Sequence, residues 1–260
     1  MNAVALPVRA ARVACSLLLF LALLLPPIAP TIAADICPNV PPIQPIQLPH
    51  LRDALATGSD GIIVALGSSS TKGAMASDPA HSYPAVLQQA LSAALSGAHI
   101  AVLNRCIGGQ DAAEELARLD VDVLATRPQL VIWQVGANGA LHNVDPLVFH
   151  RMVLTGVRRI QAAGADVILM DNQQSPRLLA VPEEPLIDQA LANVADETGA
   201  VLFSRRALMQ AWLREGAPFT EFLASDGLHH NDHGYFCVAQ SLAQLMLAGL
   251  APPHKLTASR

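Results

Sequence analysis

The feature that most constrains this chain is an alternation of short apolar runs with longer amphipathic stretches. The runs are Gly61–Leu66, His99–Leu103, Leu130–Val135, Asp166–Met170 and Ala200–Phe203. Each has the length of a strand, is rich in Val, Ile and Leu, and is apolar on both faces, as central strands of a sheet covered on two sides must be. Between and after them the spacing predicts helices over Ser82–Leu95, Ala112–Ala125, Pro146–Ala163, Leu186–Thr198, Arg205–Glu215 and Asp232–Ala248. Strands alternating with helices imply βαβ units with right-handed crossovers. The expected fold is therefore α/β, a three-layer α/β/α sandwich around a central parallel sheet of about five strands. Such sheets build their sites in the loops beyond the carboxyl ends of the strands.

The rest of the chain is organised around this unit. Residues 1–34 carry Arg9 and Arg12, an apolar run from Val13 to Leu25, Pro26-Pro27, and small residues at Thr31, Ala33 and Ala34. That order reads as a secretory signal peptide, and the run is shorter than the roughly 18–20 apolar residues that span a bilayer. The expectation is an exported protein, periplasmic or secreted, with no stable membrane insertion after leader removal. Ile28 to Ala34 adds some apolar length, so an uncleaved N-terminal anchor is the alternative. Residues 35–50 form a Pro-rich lead-in expected to be extended, because repeated prolines lack backbone donors. Residues 51–260 are expected to form a single domain. Losing a leader with two Arg and no acid takes the formal charge from −5 to −7, which leaves no basic footprint for nucleic acid. Cys37, Cys106 and Cys237 remain, read as small buried residues. An oxidising compartment would allow one disulfide among them, with the pairing open.

Four loops fall where the sheet would place a site. Gly67 to Gly73 (GSSSTKG) follows the first run, and a serine at such a turn is presented to solvent beside free N–H groups. Asn104 to Asp111 (NRCIGGQD) follows the second, with paired glycines that permit positive φ and close backbone approach. Asn138, after Gly136-Ala137, could donate from its carboxamide to a developing oxyanion. Asp226 and His229 are three apart, so one turn could set the carboxylate against one imidazole nitrogen and leave the other for a serine proton. Taken singly, the first three are also ordinary turn sequences. His229, Asp232 and His233 allow a competing metal reading through their i, i+4 histidines, although no fourth, distant ligand stands out. Lys72 is read as solvated, Trp133 as sheet core, and His81 and Tyr83 as candidates to line a pocket.

In combination and order these loops resemble those of the SGNH (GDSL-type) hydrolases, over about Ile62 to Leu247. Gly67 to Gly73 resembles Gly-Asp-Ser-x-Thr-x-Gly, a register that makes Ser69 the nucleophile. Asn104 to Gly109 resembles the second block, Gly136-Ala137-Asn138 the third, and Asp226-Gly227-Leu228-His229 the fifth. Two positions depart from the usual pattern: Ser68 stands for the Asp of the first block, and Gly139 for the Asp that follows the third-block Asn. Both acids are expected to help order their loops.

The resemblance implies a flavodoxin-like fold, most like that of the periplasmic thioesterase/lysophospholipase-type esterases. It further implies a Ser69–His229–Asp226 triad, an oxyanion hole from the Ser69 and Gly109 N–H groups and the Asn138 side chain, and no metal or organic cofactor. The expected substrate is a small-molecule acyl ester, thioester, lysolipid or acetylated sugar, cleaved through an acyl-enzyme. Two alternatives share the motifs: an acyltransferase or deacetylase acting on envelope or extracellular glycans, and a catalytically impaired SGNH-fold binding protein.

Overall fold

The computed structural model describes Met1, residues 37–38 and residues 46–251. The predicted leader, apart from Met1, and most of the Pro-rich lead-in lie outside the described residues. Five strands form one parallel sheet: β1 (Gly61–Gly67), β2 (Ile100–Cys106), β3 (Leu130–Gln134), β4 (Asp166–Met170) and β5 (Val201–Phe203). Their order across the sheet is β2-β1-β3-β4-β5. Strand β1 pairs with β2 from Gly61↔Ile100 to Gly67↔Cys106, and with β3 from Ile63↔Leu130 to Leu66↔Trp133.

All five strands were legible as apolar runs; the three central ones, β1, β3 and β4, are buried almost throughout and leave no polar alternation, while the edge strands β2 and β5 are only half-buried. The side chains still divide between two layers with the period of two that a strand imposes. Ile63, Ala65, Leu130, Ile132, Ile168 and Met170 enter one core. Val64, Leu66, Val131, Trp133, Val167 and Leu169 enter the other. The first core is closed by α1 (Pro49–Ala56), α3 (Tyr83–Ala94), α10 (Arg205–Arg214) and α11 (Asp232–Leu250). The second is closed chiefly by α4 (Ala112–Ala117), α5 (Leu119–Asp122), α7 (Pro146–Ala162) and α9 (Glu184–Thr198). Three short helices sit at strand ends: α2 (Ser69–Lys72), α6 (Ala137–Leu141) and α8 (Pro176–Leu179).

Two readings change. The lead-in does not stay extended to residue 50, because Pro49 opens α1 at a helix start where its missing N–H costs nothing. The stretch Ala112–Ala125 is not one helix. It breaks at Arg118, whose φ −104° and ψ 6° end α4, and it finishes in a 3-10 turn over Leu124–Thr126.

The cysteines also take a more specific form than small buried residues. Cys37 and Cys237 are joined in a disulfide with Cα atoms 5.4 Å apart, and Cys106 is a free, half-buried thiol. The bond ties the segment ahead of α1 to α11. Among the described residues no helix is long and apolar enough to cross a membrane.

Candidate active site

The strand order reverses between β2 and β3 on either side of β1, and the crevice at such a switch point is where an α/β sheet accepts a ligand. Ser69 stands there as the first residue of α2. The turn before it depends on Gly67: a Cβ at that position would lie 2.3 Å from Thr71 Oγ1 and 3.0 Å from the Gln134 carbonyl. The turn after it depends on Gly73, at φ +84° with Ser82 Cβ 2.6 Å from where its own Cβ would be. Both glycines of the serine loop are thus required by close approach. Of the three consecutive serines, Ser68 and Ser70 are buried and Ser69 is partly exposed.

Ser69 Oγ lies 2.8 Å from His229 Nε2, and His229 Nδ1 lies 2.6 Å from Asp226 Oδ2. The other carboxylate oxygen accepts the Leu228 and His229 backbone N–H groups, both at 3.0 Å. One tight turn thereby orients the acid and the imidazole together. Burial alone would push the Asp226 carboxyl up. The His229 ring and the two backbone donors outweigh burial and hold it below the ordinary carboxylate range. The turn is braced from β4's end by Gln173 Nε2, which donates to the Leu228 carbonyl at 2.8 Å. The Arg177 N–H does the same to the Gly227 carbonyl at 3.1 Å.

Of the oxyanion candidates, the diglycine loop approaches Ser69 through Gly108. Gly109 has φ +85° and open space where a Cβ would be, while a Cβ on Gly108 would come 3.9 Å from Ser69 Cβ. The diglycine turn therefore lies against the serine. Neither the Ser69 N–H nor the Gly109 N–H donates to an acceptor among the described residues. Asn138 Nδ2 donates to the Gln110 carbonyl at 2.7 Å. That bond uses one of its two hydrogens and orients the amide plane, leaving the second hydrogen available.

The remaining candidates part company. Tyr83 does not line a pocket: it is buried, with its hydroxyl 3.4 Å from Thr71 Oγ1 beneath the serine helix. His81 is exposed and lies 2.8 Å from Asp232, which also holds Ser77. Lys72 is exposed. Trp133 is core, and it donates its indole N–H to buried Glu115 at 2.7 Å, a partner that sequence reasoning missed. Burial pushes the Cys106 thiol up, which disfavours a thiolate beside the site.

The metal reading does not assemble from the residues first considered. His229 faces Ser69 and Asp226, Asp232 faces Ser77 and His81, and His233 packs against Phe222. The three-ligand group that does occur among the described residues is Cys37, His233 and Cys237. Its two sulfurs are bonded to one another.

Ser68 makes no capping hydrogen bond. Gly139 leaves room beside Phe149, whose ring would be 3.4 Å from a Cβ there. An acid at 139 would face that ring and Val144, so the position where the usual pattern has a carboxylate looks onto apolar side chains here.

Comparison with known proteins adds a family model described as the Non-GDSL lipase-like family, which matches residues 37–252. The chain is 27% identical over 161 residues to Esterase TesA of Pseudomonas aeruginosa, covering 62% of this chain and 75% of that protein. It is 25% identical over 169 residues to an arylesterase of Vibrio mimicus, covering 65% of this chain and 80% of that one. The crystal structure of a lipase/acylhydrolase from Enterococcus faecalis superposes with a TM-score of 0.62 at 23% identity, over 74% of this chain and 97% of that chain. At that identity the likeness is one of fold.

Proposed function

Since this chain belongs to the Non-GDSL lipase-like family of SGNH hydrolases, we propose that it is an exported serine esterase with Ser69 as its nucleophile. The observation that carries this reading is the chain of hydrogen bonds Ser69 Oγ–His229 Nε2 at 2.8 Å and His229 Nδ1–Asp226 Oδ2 at 2.6 Å, set at the switch point of the sheet. His229 takes the Ser69 proton as the oxygen attacks an acyl carbon. Asp226 holds the ring in the tautomer whose Nε2 is free to accept, and stabilises the imidazolium that results. The carbonyl oxygen becomes an oxyanion facing the Ser69 and Gly109 N–H groups and the second Asn138 amide hydrogen. Each such donor is worth roughly 2.7–4 kcal/mol in the transition state.

Collapse of the tetrahedral intermediate expels the alcohol or thiol, which leaves with the His229 proton. Water then attacks the acyl-enzyme, giving its proton to His229, and the Ser69 hydroxyl is restored. Candidate substrates are small carboxylic esters, thioesters, lysolipids and acetylated sugars. Export rests on the N-terminal sequence pattern, and the Cys37–Cys237 bond supports it because such bonds persist where the surroundings are oxidising.

A fluorophosphonate probe tests the reading, with the adduct located by mass spectrometry. Labelling is expected at Ser69 and is expected to vanish in Ser69→Ala and His229→Ala, with kcat for a soluble ester falling about 10⁴-fold or more. A folded wild-type protein that takes up no label would overturn it.

A further inference from the structure

Arg118 makes four polar contacts with one guanidinium, three of them to the loops that frame Ser69. Nη2 donates to the Gly67 carbonyl at 3.2 Å, and Nη1 to the Arg105 carbonyl at 2.9 Å. Nε donates to Gln110 Oε1 at 2.6 Å. Nη1 also reaches Asp122 Oδ2 at 3.1 Å, which balances the charge on the outer side. The side chain is only 12% exposed.

These contacts have a particular geometry. Gly67 is the last residue of β1, two before Ser69, and Arg105 is next to last in β2. Gln110 follows Gly109 directly, and its carbonyl is the acceptor of the Asn138 amide. One planar fork therefore spans the start of the serine turn and both ends of the Cys106–Gly109 segment. Through Gln110 it also touches the residue that orients Asn138.

The segment so held needs holding. Ile107, Gly108 and Gly109 are exposed. Its backbone bonds are few: Ile107 N–H to the Gly67 carbonyl at the end of β1 at 3.1 Å, and Gln110 N–H to the Ile107 carbonyl at a long 3.4 Å. Two adjacent, exposed glycines have wide conformational freedom, whereas an oxyanion donor works only when fixed in advance. We infer that Arg118 is a positioning residue for the reaction: it clamps the Gly108-Gly109 turn to the Ser69 turn and so sets the oxyanion hole. It touches neither substrate nor the reacting atoms. Lysine cannot replace it, since one ammonium does not reproduce a fork with three separated acceptors. The break between α4 and α5 has its use here, because it lets residue 118 turn toward the strand ends.

This inference rests on the esterase reading for its kinetic consequence but not for its structural one, and two readouts keep them apart. On a soluble p-nitrophenyl ester, Arg118→Ala is expected to lose about 10²-fold in kcat, with KM within about threefold, as a misplaced donor produces. Added guanidinium ion is expected to restore part of that kcat in Arg118→Ala, and Arg118→Lys is expected to remain impaired. Amide hydrogen exchange, followed on peptides covering 107–110, is expected to speed up about tenfold or more in Arg118→Ala while β3 and α11 stay unchanged.

Unchanged kcat and unchanged loop exchange in folded Arg118→Ala would overturn the inference. So would faster exchange spread evenly over the whole molecule, which marks a residue that only stabilises the fold. If Arg118→Ala does not fold, Gln110→Ala removes one arm of the clamp and is read by the same two measurements. A wild-type protein inert to ester and probe would remove the esterase reading, and the exchange arm would still decide whether the clamp exists.

Discussion

Glu115 carries a carboxyl group enclosed by the second core layer, where burial raises it to about 8 against the help of the Trp133 N–H and of Arg118. A raised carboxylate is a stability statement with a definite sign. Above the ordinary glutamate value the unfolded chain gives up this proton while the folded chain keeps it. Glu115 therefore subtracts from stability as pH rises toward 8, by up to about 1.4 kcal/mol per pH unit. Glu115→Gln keeps an acceptor for Trp133 and removes the titration. Thermal melts from pH 5 to 8 are expected to show the variant gaining steadily on the wild type; parallel curves would refute it. Asp226 behaves oppositely. Its lowered value contributes stability above the unfolded value, and that contribution is lost as pH falls through the folded one. Its larger effect is on chemistry: Asp226→Asn is expected to leave the fold intact and lower kcat about 10⁴-fold, by releasing the imidazole tautomer. Comparing steady-state kinetics with circular dichroism checks both halves.

At the scale of elements, α7 meets β3 through a missing side chain. A Cβ on Gly156 would lie 2.4 Å from Trp133 Cζ3 and 2.5 Å from Cη2. Alanine there gains up to about 1 kcal/mol of helix propensity, but overpacking against a fully buried indole costs about 1–3 kcal/mol. Gly156→Ala is therefore expected to be destabilised in urea unfolding, and a net gain would show that the helix shifts freely. The same element scale shows what periodicity reads well and poorly. Long helices such as α7 and α11 bury a continuous stripe and announce themselves. The stretch from Ala112 also carries a helical stripe, yet it breaks at Arg118, whose side chain turns to main-chain carbonyls of other strands. No local pattern encodes those acceptors, and nothing in the sequence separates Arg118 from the other cations. The four-residue α2 is equally silent as a helix, and only its Gly, Ser, Thr and Gly pattern marks it.

Across the whole molecule, one covalent bond links positions separated by 200 residues. In the chain-entropy view, closing a loop of that size stabilises by about 5 kcal/mol. Reduction, or Cys37→Ser, is expected to lower the melting temperature by several degrees, and an unchanged melt would show that the unfolded chain is not constrained by it. Cys237 is fully buried in α11, so Cys37→Ser is the gentler variant to build.

Local chemistry determined much of this protein. Apolar runs of strand length alternating with helical stretches specified the α/β layers, and the resemblance of the Gly67 to Gly73 and Asp226 to His229 loops to the SGNH blocks pointed to Ser69, Asp226 and His229. Tertiary structure alone brought Ser69 Oγ to His229 Nε2 across 160 positions of sequence. It also decided that Cys37 pairs with Cys237, that Tyr83 lies under the site instead of in it, and that Arg118 faces three carbonyl-type oxygens. The physical reason is the range of the interactions. Hydrophobic periodicity and turn geometry act between near neighbours and are written along the chain. A hydrogen bond between two loops depends on where the sheet order sets their ends, and no spacing along the chain records that.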